Sequence, residues 1–535
     1  MVCLSLFTCD SSLLTIHLSL FPLLGFLALN SILNYSMWTR ERLSELIKSK
    51  LGDRLLVVVS NREPYVHVFD GDDIKYYIPP GGLVTALEPI MEASGGYWVA
   101  QASGEADNLV VDDKNEVGCP PSRPDFTLKR VFLTKEEIAG FYYNFANGGM
   151  WPLCHVAYIR PRFEAADYEM YKAVQTKYAD AIAEIVGDRP AFVFIQDYHF
   201  ANLARILKEK VRNVVTAQFW HIPWPNSEVV RILPFKEEIL NDLLYNDLLA
   251  FQVQYHVMNF LDTVNRYIES RIEYDMSRVN RGGRITLLRA FPISIDFDHV
   301  SELSSSPDIR NMRNELIKRY RLKDKIVAIG VDRIDYTKGI LERFRAVDKF
   351  LENNPQYIGK FVYVQLGALS RMQLPAYREL NDDLNQLMVS VNEKYQSQGW
   401  KPIIFARANH SKESVIAWNG IGNVSLVTSL HDGMNLVAKE FVASRNDLSG
   451  ALILSEFTGA ARELSDAVLV NPYYIDGLAA AIKTAIEMPI EEQRRRMAKM
   501  RDAIGRQNVY RWAAKILSEI FNFEFVEYDT EVGVS

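Results

Sequence analysis

Short runs of Val, Ile and Leu alternate with longer amphipathic stretches along most of the chain, and no other feature narrows the fold as far. The first half carries LLVVVSNR, AFVFIQ and VVTAQFW; the second carries IVAIGVDR, FVYVQLGA, PIIFARA, VSLVTSL, ALILSE and AVLVNP. Runs without a polar face suit strands covered on both sides, which means parallel sheet with helices above and below. Between them lie segments such as GILERFRAVDKFLENNP, whose Ile340, Phe344 and Val347 share one helical face. The pattern restarts after about residue 325, behind the charged stretch DIRNMRNELIKRYRLKDK, and 535 residues are too many for one core. The expectation is an α/β protein with two Rossmann-like, doubly wound domains facing across a cleft. They would span residues 37–300 and 301–500, with an apolar extension over 1–36. A C-terminal helix and tail over 501–535 would return towards the first domain.

Charge and cysteine content exclude several classes. Sixty Lys and Arg against 67 Asp and Glu leave a net charge of −7, so there is no excess of cations for nucleic acid. The most basic run, EEQRRRMAKMR, places Glu491 and Glu492 four residues before Arg495 and Arg496, the spacing of a salt-paired, solvated helix face. Cys3, Cys9, Cys119 and Cys154 are too few and too scattered for a disulfide framework or a zinc site, and a cytoplasmic setting is expected. Between Met1 and Thr39 the only formal charge is Asp10, and the apolar run over 12–33 is about as long as a membrane span. No Lys or Arg precedes it, Pro22 and His17 interrupt it, and Met37 opens a natural start for a soluble domain. The segment reads as a dispensable extension, with an anchor or targeting segment as the alternative.

In open parallel sheets, ligands bind beyond the carboxyl ends of the strands. The polar residues expected there are Asn61 and Arg62; Asp197, Tyr198 and His199; His221; Arg333, Asp335 and Lys338; Arg371; and His431, Asp432 and Asn435. No phosphate loop of the form GxxxxGK[ST] occurs, GIGNVS precedes a strand rather than following one, and FDGDDIKYY reads as a hairpin turn, so no metal is expected. Arg333 at a strand end and Lys338 at the next helix start would face one small volume and suit a pyrophosphate. The plainer reading of that stretch is a surface ion pair from Arg333 to Asp335. In SLHDGMNLVAKEF, backbone N–H groups at Gly433, Met434 and Asn435 would hold hydroxyls or phosphate oxygens, and Glu440 a ribose diol. Asp197 and His221 end successive strands, and Trp220 and Trp224 beside them favour a sugar pocket.

These residues fall into a known order. VVVSNR, PPGGL, YYNFAN…WP, QDYH, HIPWP, DRIDYTKG, Ser370-Arg371, HDGMNLVAKEF and VNPY resemble the motifs of the trehalose-6-phosphate synthase family over about residues 54–520. The resemblance implies a GT-B fold and transfer of glucose from UDP-glucose to glucose 6-phosphate, with retention and with neither metal nor cofactor. It implies that Arg333 and Lys338 bind the donor diphosphate, that Glu440 holds the ribose, and that Asn435, Leu436 and Val437 lie near the pyrophosphate. Gly82, His221 and Asp432 would hold the transferred glucose, Asp197 would lie near the acceptor sugar, and Arg62, Tyr143, Trp151 and Arg371 would clamp the acceptor phosphate. Two departures touch the acceptor side: Gln101 or Ala102 stands where the best-known bacterial members carry a second tryptophan, and the YYNFANGGMWP loop is one residue shorter. Both resemble the branch containing glucosylglycerol-phosphate synthases, so glycerol 3-phosphate is the alternative acceptor. A non-catalytic sugar-phosphate sensor is a further alternative, and the intact donor residues argue against it. The nucleotide base and a homo-oligomer stay open, and dephosphorylation of the product would need a separate phosphatase.

Overall fold

The computed structural model describes residues 38–525 apart from Pro80 and Gln398. The apolar stretch over 12–33, the expected 1–36 extension and the tail after residue 525 lie outside the described residues. The described chain forms two parallel-core sheets. The first contains β1 (Leu55–Arg62), β4 (Tyr97–Gln101), β5 (Glu116–Cys119), β6 (Phe126–Val131), β7 (Ala191–Gln196), β8 (Val214–Trp220), β9 (Leu248–Phe251), β10 (Arg271–Glu273), β11 (Arg278–Arg281) and β12 (Arg284–Ala290). The second contains β13 (Ile326–Arg333), β14 (Phe361–Ala368), β15 (Ile403–Arg407), β16 (Val424–Val427), β17 (Ala451–Ser455) and β18 (Val468–Val470). Every residue of β7, β8, β16 and β17 is buried, as strands covered on both faces must be. The FDGDD stretch makes the expected hairpin, β2 (Val66–Asp70) antiparallel to β3 (Asp73–Tyr77).

Both sheets use the same winding. The second runs β15-β14-β13-β16-β17-β18, all parallel, and the parallel strands of the first run β6-β4-β1-β7-β8-β9-β12. In each, the chain winds outwards from the first strand, then returns to its other side. The crevice at that reversal lies beyond β1 and β7 in the first sheet, and beyond β13 and β16 in the second. Arg62 ends β1 and Asp197 follows β7, while Arg333 ends β13 and Asp432 lies in the loop after β16.

Helices join the halves. Val509–Phe521 buries Val509, Trp512, Ala513, Ile516, Leu517 and Ile520, a helical stripe that packs on Arg40–Leu51 and Gly82–Ser94. Phe521 meets Phe192 of β7 at 5.0 Å, and Trp512 meets Phe219 of β8 at 5.6 Å. The basic run lies in helix Ile490–Arg506, where Glu492 pairs with Arg495 and Arg496 while Glu491 pairs with Arg494. Residues Ala139–Met150 are not a loop: they wind as a π-helix that runs directly into helix Trp151–His155.

One glycine closes the second crevice. Gly339 has φ 67° between the short turn Tyr336–Lys338 and helix Ile340–Asn353, and a Cβ there would lie 2.3 Å from the Thr428 carbonyl oxygen after β16. Replacing Gly339 by Ala should cost about 2 kcal/mol or more in chemical denaturation. A change under about 0.5 kcal/mol would contradict this close approach.

Candidate active site

The second-sheet half of the site is built around two cations. Lys338 Nζ lies 2.5 Å from Asp432 Oδ2, which also accepts from Ser429 Oγ and Asn435 Nδ2, each at 3.2 Å. Burial alone would raise the Asp432 carboxyl, but Lys338 holds it below its usual range. Asn435 takes a strained φ of 131° and caps helix Leu436–Ser444 by accepting from the Ala438 N–H at 3.1 Å. Arg333 ends β13 with its guanidinium over the Trp151 ring at 5.6 Å, and among the described residues it makes no hydrogen bond or ion pair. The expected ion pair from Arg333 to Asp335 is not formed, because Asp335 is committed elsewhere.

Asp335 is fully buried and accepts from Thr337 N at 3.0 Å, Thr337 Oγ1 at 2.9 Å, Tyr377 OH at 2.9 Å and Arg371 Nη1 at 3.2 Å. Its Oδ1 is also 3.4 Å from Trp151 Nε1 of the first half. Burial opposes ionisation, yet Arg371, then Arg333 and Lys338, bring this carboxyl down to about 2. Arg371, at φ 50°, lies over the Trp151 ring at 4.1 Å and points Nη2 at Tyr198 OH, 3.5 Å away. Its Nε is buried without a hydrogen-bond partner among the described residues.

Glu440 lies one turn into helix Leu436–Ser444, and its carboxylate has no partner among the described residues. Burial pushes it up to about 7. A nearby ligand hydroxyl would supply the missing donor. Lys439 points the other way, its Nζ 2.8 Å from the Ile293 carbonyl and paired with Glu463, and so ties this helix to the connection between the sheets.

The first-sheet half is more tightly bonded. Asp197, at φ 73°, accepts on Oδ1 from the backbone N–H groups of Tyr198 at 2.9 Å and His221 at 3.1 Å. Burial pushes its carboxyl up to about 7 while those N–H groups pull it back. His221 Nε2 is 3.0 Å from Gln196 Oε1 and Nδ1 is 3.2 Å from Gln252 Nε2, so both ring nitrogens are engaged by amides. Burial drives this imidazole down to about 3 and keeps it neutral. Arg62 and Gln101 are register partners across β1 and β4, beside an irregularity at Asn61.

Two glycines let the halves touch. A Cβ on Gly82 would lie 2.2 Å from Leu436 Cδ1, and one on Gly433 would lie 2.1 Å from the His221 carbonyl oxygen. Arg333, Lys338, Asp432, Asn435, Trp151, Arg371, Asp197, His221, Gly82 and Leu436 therefore border one cleft, with Glu440 and Val437 on the helix behind.

Tyr143 is placed differently. Tyr142 is the phenol under the cations: burial works against it, but Arg371, Arg62 and Arg333 bring it down to about 8, whereas no arginine acts on Tyr143. Nine residues separate Tyr142 from Trp151, about two turns of an i→i+5 helix, so the two share a face that Tyr143 leaves. Asn147 of the same segment accepts from Tyr198 OH at 2.8 Å and locks that register. Tyr142, Gln252 and the Asp335 cluster were not singled out from sequence. Only the Trp151 to Tyr142 spacing offered a signal, and reading it requires the π-helical pitch. Among the described residues no group of three or more His, Cys, Asp or Glu gathers as a metal site.

A cleft between two such sheets, with Arg333 and the Asp432-paired Lys338 on one side and arginines with a tyrosine on the other, defines a glycosyltransferase of the GT-B class. The glycosyltransferase family 20 model matches residues 54–522, and the chain belongs to that family. The trehalose-6-phosphate synthase of Mycolicibacterium vanbaalenii is 35% identical over 488 residues, 90% of this chain and 98% of that protein. The Mycobacterium avium trehalose-6-phosphate synthase is 34% identical over 88% of this chain and 96% of its own length. Among solved structures, the E. coli trehalose-6-phosphate protein bound with UDP-2-fluoro glucose superposes with a TM-score of 0.78 at 29% identity, covering 88% of this chain and 100% of that one. The UDP-forming alpha,alpha-trehalose-phosphate synthase of Burkholderia xenovorans in complex with glucose-6-phosphate gives a TM-score of 0.78 at 28% identity, covering 87% and 100%.

Because the folded Asp335 carboxyl titrates at about 2, below an unfolded value of about 3.9, its stabilisation is whole above pH 4 and is lost as pH falls towards 2. Asp335→Asn should lower stability at pH 7 by about 3 kcal/mol, since Arg371 then lies buried without its carboxylate. It should also remove about 2 kcal/mol of the acid sensitivity between pH 4 and 2. Parallel acid profiles for the two proteins would contradict the pairing.

Proposed function

We propose that this chain transfers glucose from UDP-glucose to glucose 6-phosphate, giving trehalose 6-phosphate and UDP. The observation that carries this reading is Arg333: a cation at the crevice of the second sheet without an anion of its own, beside Lys338 and across from the acceptor arginines. Family membership supports the donor and the acceptor alike.

Cleavage of the sugar–phosphate bond leaves an oxocarbenium-like glucose and puts charge on the departing diphosphate. Arg333 and Lys338 are fixed where that charge develops, and the unpaired N–H groups at the start of helix Leu436–Ser444 add to them. Asp432 keeps Lys338 oriented and has a second oxygen for a sugar hydroxyl, while Glu440 accepts from the ribose diol. On the other side Arg62, Arg371, Trp151 and Tyr142 would clamp the acceptor phosphate. The site has no pair of carboxylates flanking a sugar as in glycosidases: Asp197 is held by backbone N–H groups and His221 by two amides. The leaving phosphate oxygen therefore takes the acceptor hydroxyl proton on the face it leaves, which retains the anomeric configuration. Contact of the halves at Gly82 and Gly433 excludes water from the donor.

Every group named comes from one chain, so chemistry needs no second copy, and removing the product phosphate falls to a separate phosphatase. Cys119 and Cys154 are buried free thiols, which suits a reducing cytoplasm. Among the described residues no helix is long and apolar enough to cross a membrane.

The test is to incubate purified protein with UDP-glucose and either glucose 6-phosphate or glycerol 3-phosphate and to identify the product. Trehalose 6-phosphate is expected, with Arg333→Ala and Lys338→Ala each lowering turnover at least 100-fold, roughly the loss of one transition-state contact. Product with glycerol 3-phosphate alone would replace the acceptor, and near-normal turnover in both variants would remove the diphosphate clamp.

A further inference from the structure

Helix Trp151–His155 carries a second ring that the mechanism above leaves unused. His155 is 1% exposed and follows Trp151 by four residues, one turn along the same face, so that the two rings lie 4.0 Å apart. Its Nδ1 is 2.9 Å from the Trp151 carbonyl oxygen. A carbonyl oxygen only accepts, so Nδ1 carries the proton and donates. Nε2 is then a bare lone pair, an acceptor with no hydrogen to give. It is buried and has no hydrogen-bond partner among the described residues. An acceptor left unmade in the interior is destabilising, and its presence here points to a donor from outside the chain.

The surroundings say what kind of donor. The charges acting on the ring are Asp432, Lys338 and Asp335, the groups of the donor crevice. His431, next to Asp432, donates from Nδ1 to the His155 carbonyl at 3.0 Å, so the Asp432 loop crosses the cleft at this residue. Burial drives the imidazole down to about 3, and it stays neutral at working pH. A neutral lone pair repels an unprotonated phosphate oxygen and cannot satisfy a carbonyl. Lys338 is already held by Asp432. A sugar hydroxyl fits: it brings a proton and no charge.

We propose that His155 Nε2 accepts a hydrogen bond from a hydroxyl of the glucose being transferred, the same sugar that Asp432 holds. The inference rests on the nucleotide-glucose donor of the preceding section, and it names a sugar-binding residue that acts with Asp432.

Donor binding tests it without any acceptor. Affinities of UDP, UDP-glucose and the 2-, 3-, 4- and 6-deoxyglucose analogues of the donor would be measured by calorimetry for wild type, His155→Phe and His155→Gln. Phe keeps the ring on Trp151 and removes the lone pair; the Gln amide oxygen reaches the Nε2 position. The expected result is unchanged UDP binding, an affinity for UDP-glucose about 10-fold lower in His155→Phe, and partial recovery in His155→Gln. One deoxy donor should bind wild type about 10-fold more weakly yet lose nothing further in His155→Phe, the non-additivity of two partners in one bond. UDP-glucose affinity within 2-fold of wild type in His155→Phe, or losses that add for all four analogues, would overturn the proposal. If neither variant binds UDP, the wild-type series decides, and undiminished affinity for all four analogues overturns it. A protein that binds the donor as expected but glucosylates no acceptor contradicts the proposed function and leaves this hydrogen bond standing.

Discussion

A single buried carboxylate, Asp335, holds the site in register. It is the point where the second half's Arg371, Tyr377 and Thr337 and the first half's Trp151 indole converge. Burying a carboxylate is costly, and only a full set of donors makes it tolerable. The set is full here, and Arg371 is fixed as a consequence, with its guanidinium over Trp151 and its buried Nε without a hydrogen-bond partner among the described residues. Arg333, two residues before Asp335, is thereby denied the neighbour that would neutralise it. Arg333 stays available because the nearest acid is already taken.

The two halves divide the work by how much of their polar capacity is spent internally. On the donor side, among the described residues, Arg333 and the Glu440 carboxylate make no hydrogen bond or ion pair, and both would find partners in a nucleotide sugar. Asp197, His221, Gln196 and Gln252 instead bond one another and the backbone, which makes a stiff floor on the first-sheet side of the cleft. Gly82 and Gly433 bring floor and donor loop to contact distance, and a side chain at Gly433 would collide with the His221 backbone.

Much of this was legible in the sequence. Runs without a polar face declared parallel strands, and the turn residues after them declared where a ligand sits, since backbone direction and strand order leave little choice. What stayed hidden depended on pairing or pitch. That Asp335 serves Arg371 and not Arg333 is a contact 36 residues away in sequence, invisible to local spacing. That Tyr142 and not Tyr143 faces the arginines follows from a π-helix where a loop was expected. His155 was not singled out from sequence, and only its bond to Trp151 shows that Nε2 carries the lone pair.

The central claim is that Arg333 and Lys338 wait for a diphosphate. A crystal structure of the protein with bound UDP tests it most directly. The account predicts the β-phosphate within about 3.2 Å of both the Arg333 guanidinium and Lys338 Nζ, with the Asp335–Arg371 pair unchanged. UDP bound elsewhere, with Arg333 still lying on Trp151 and touching no phosphate, would contradict it.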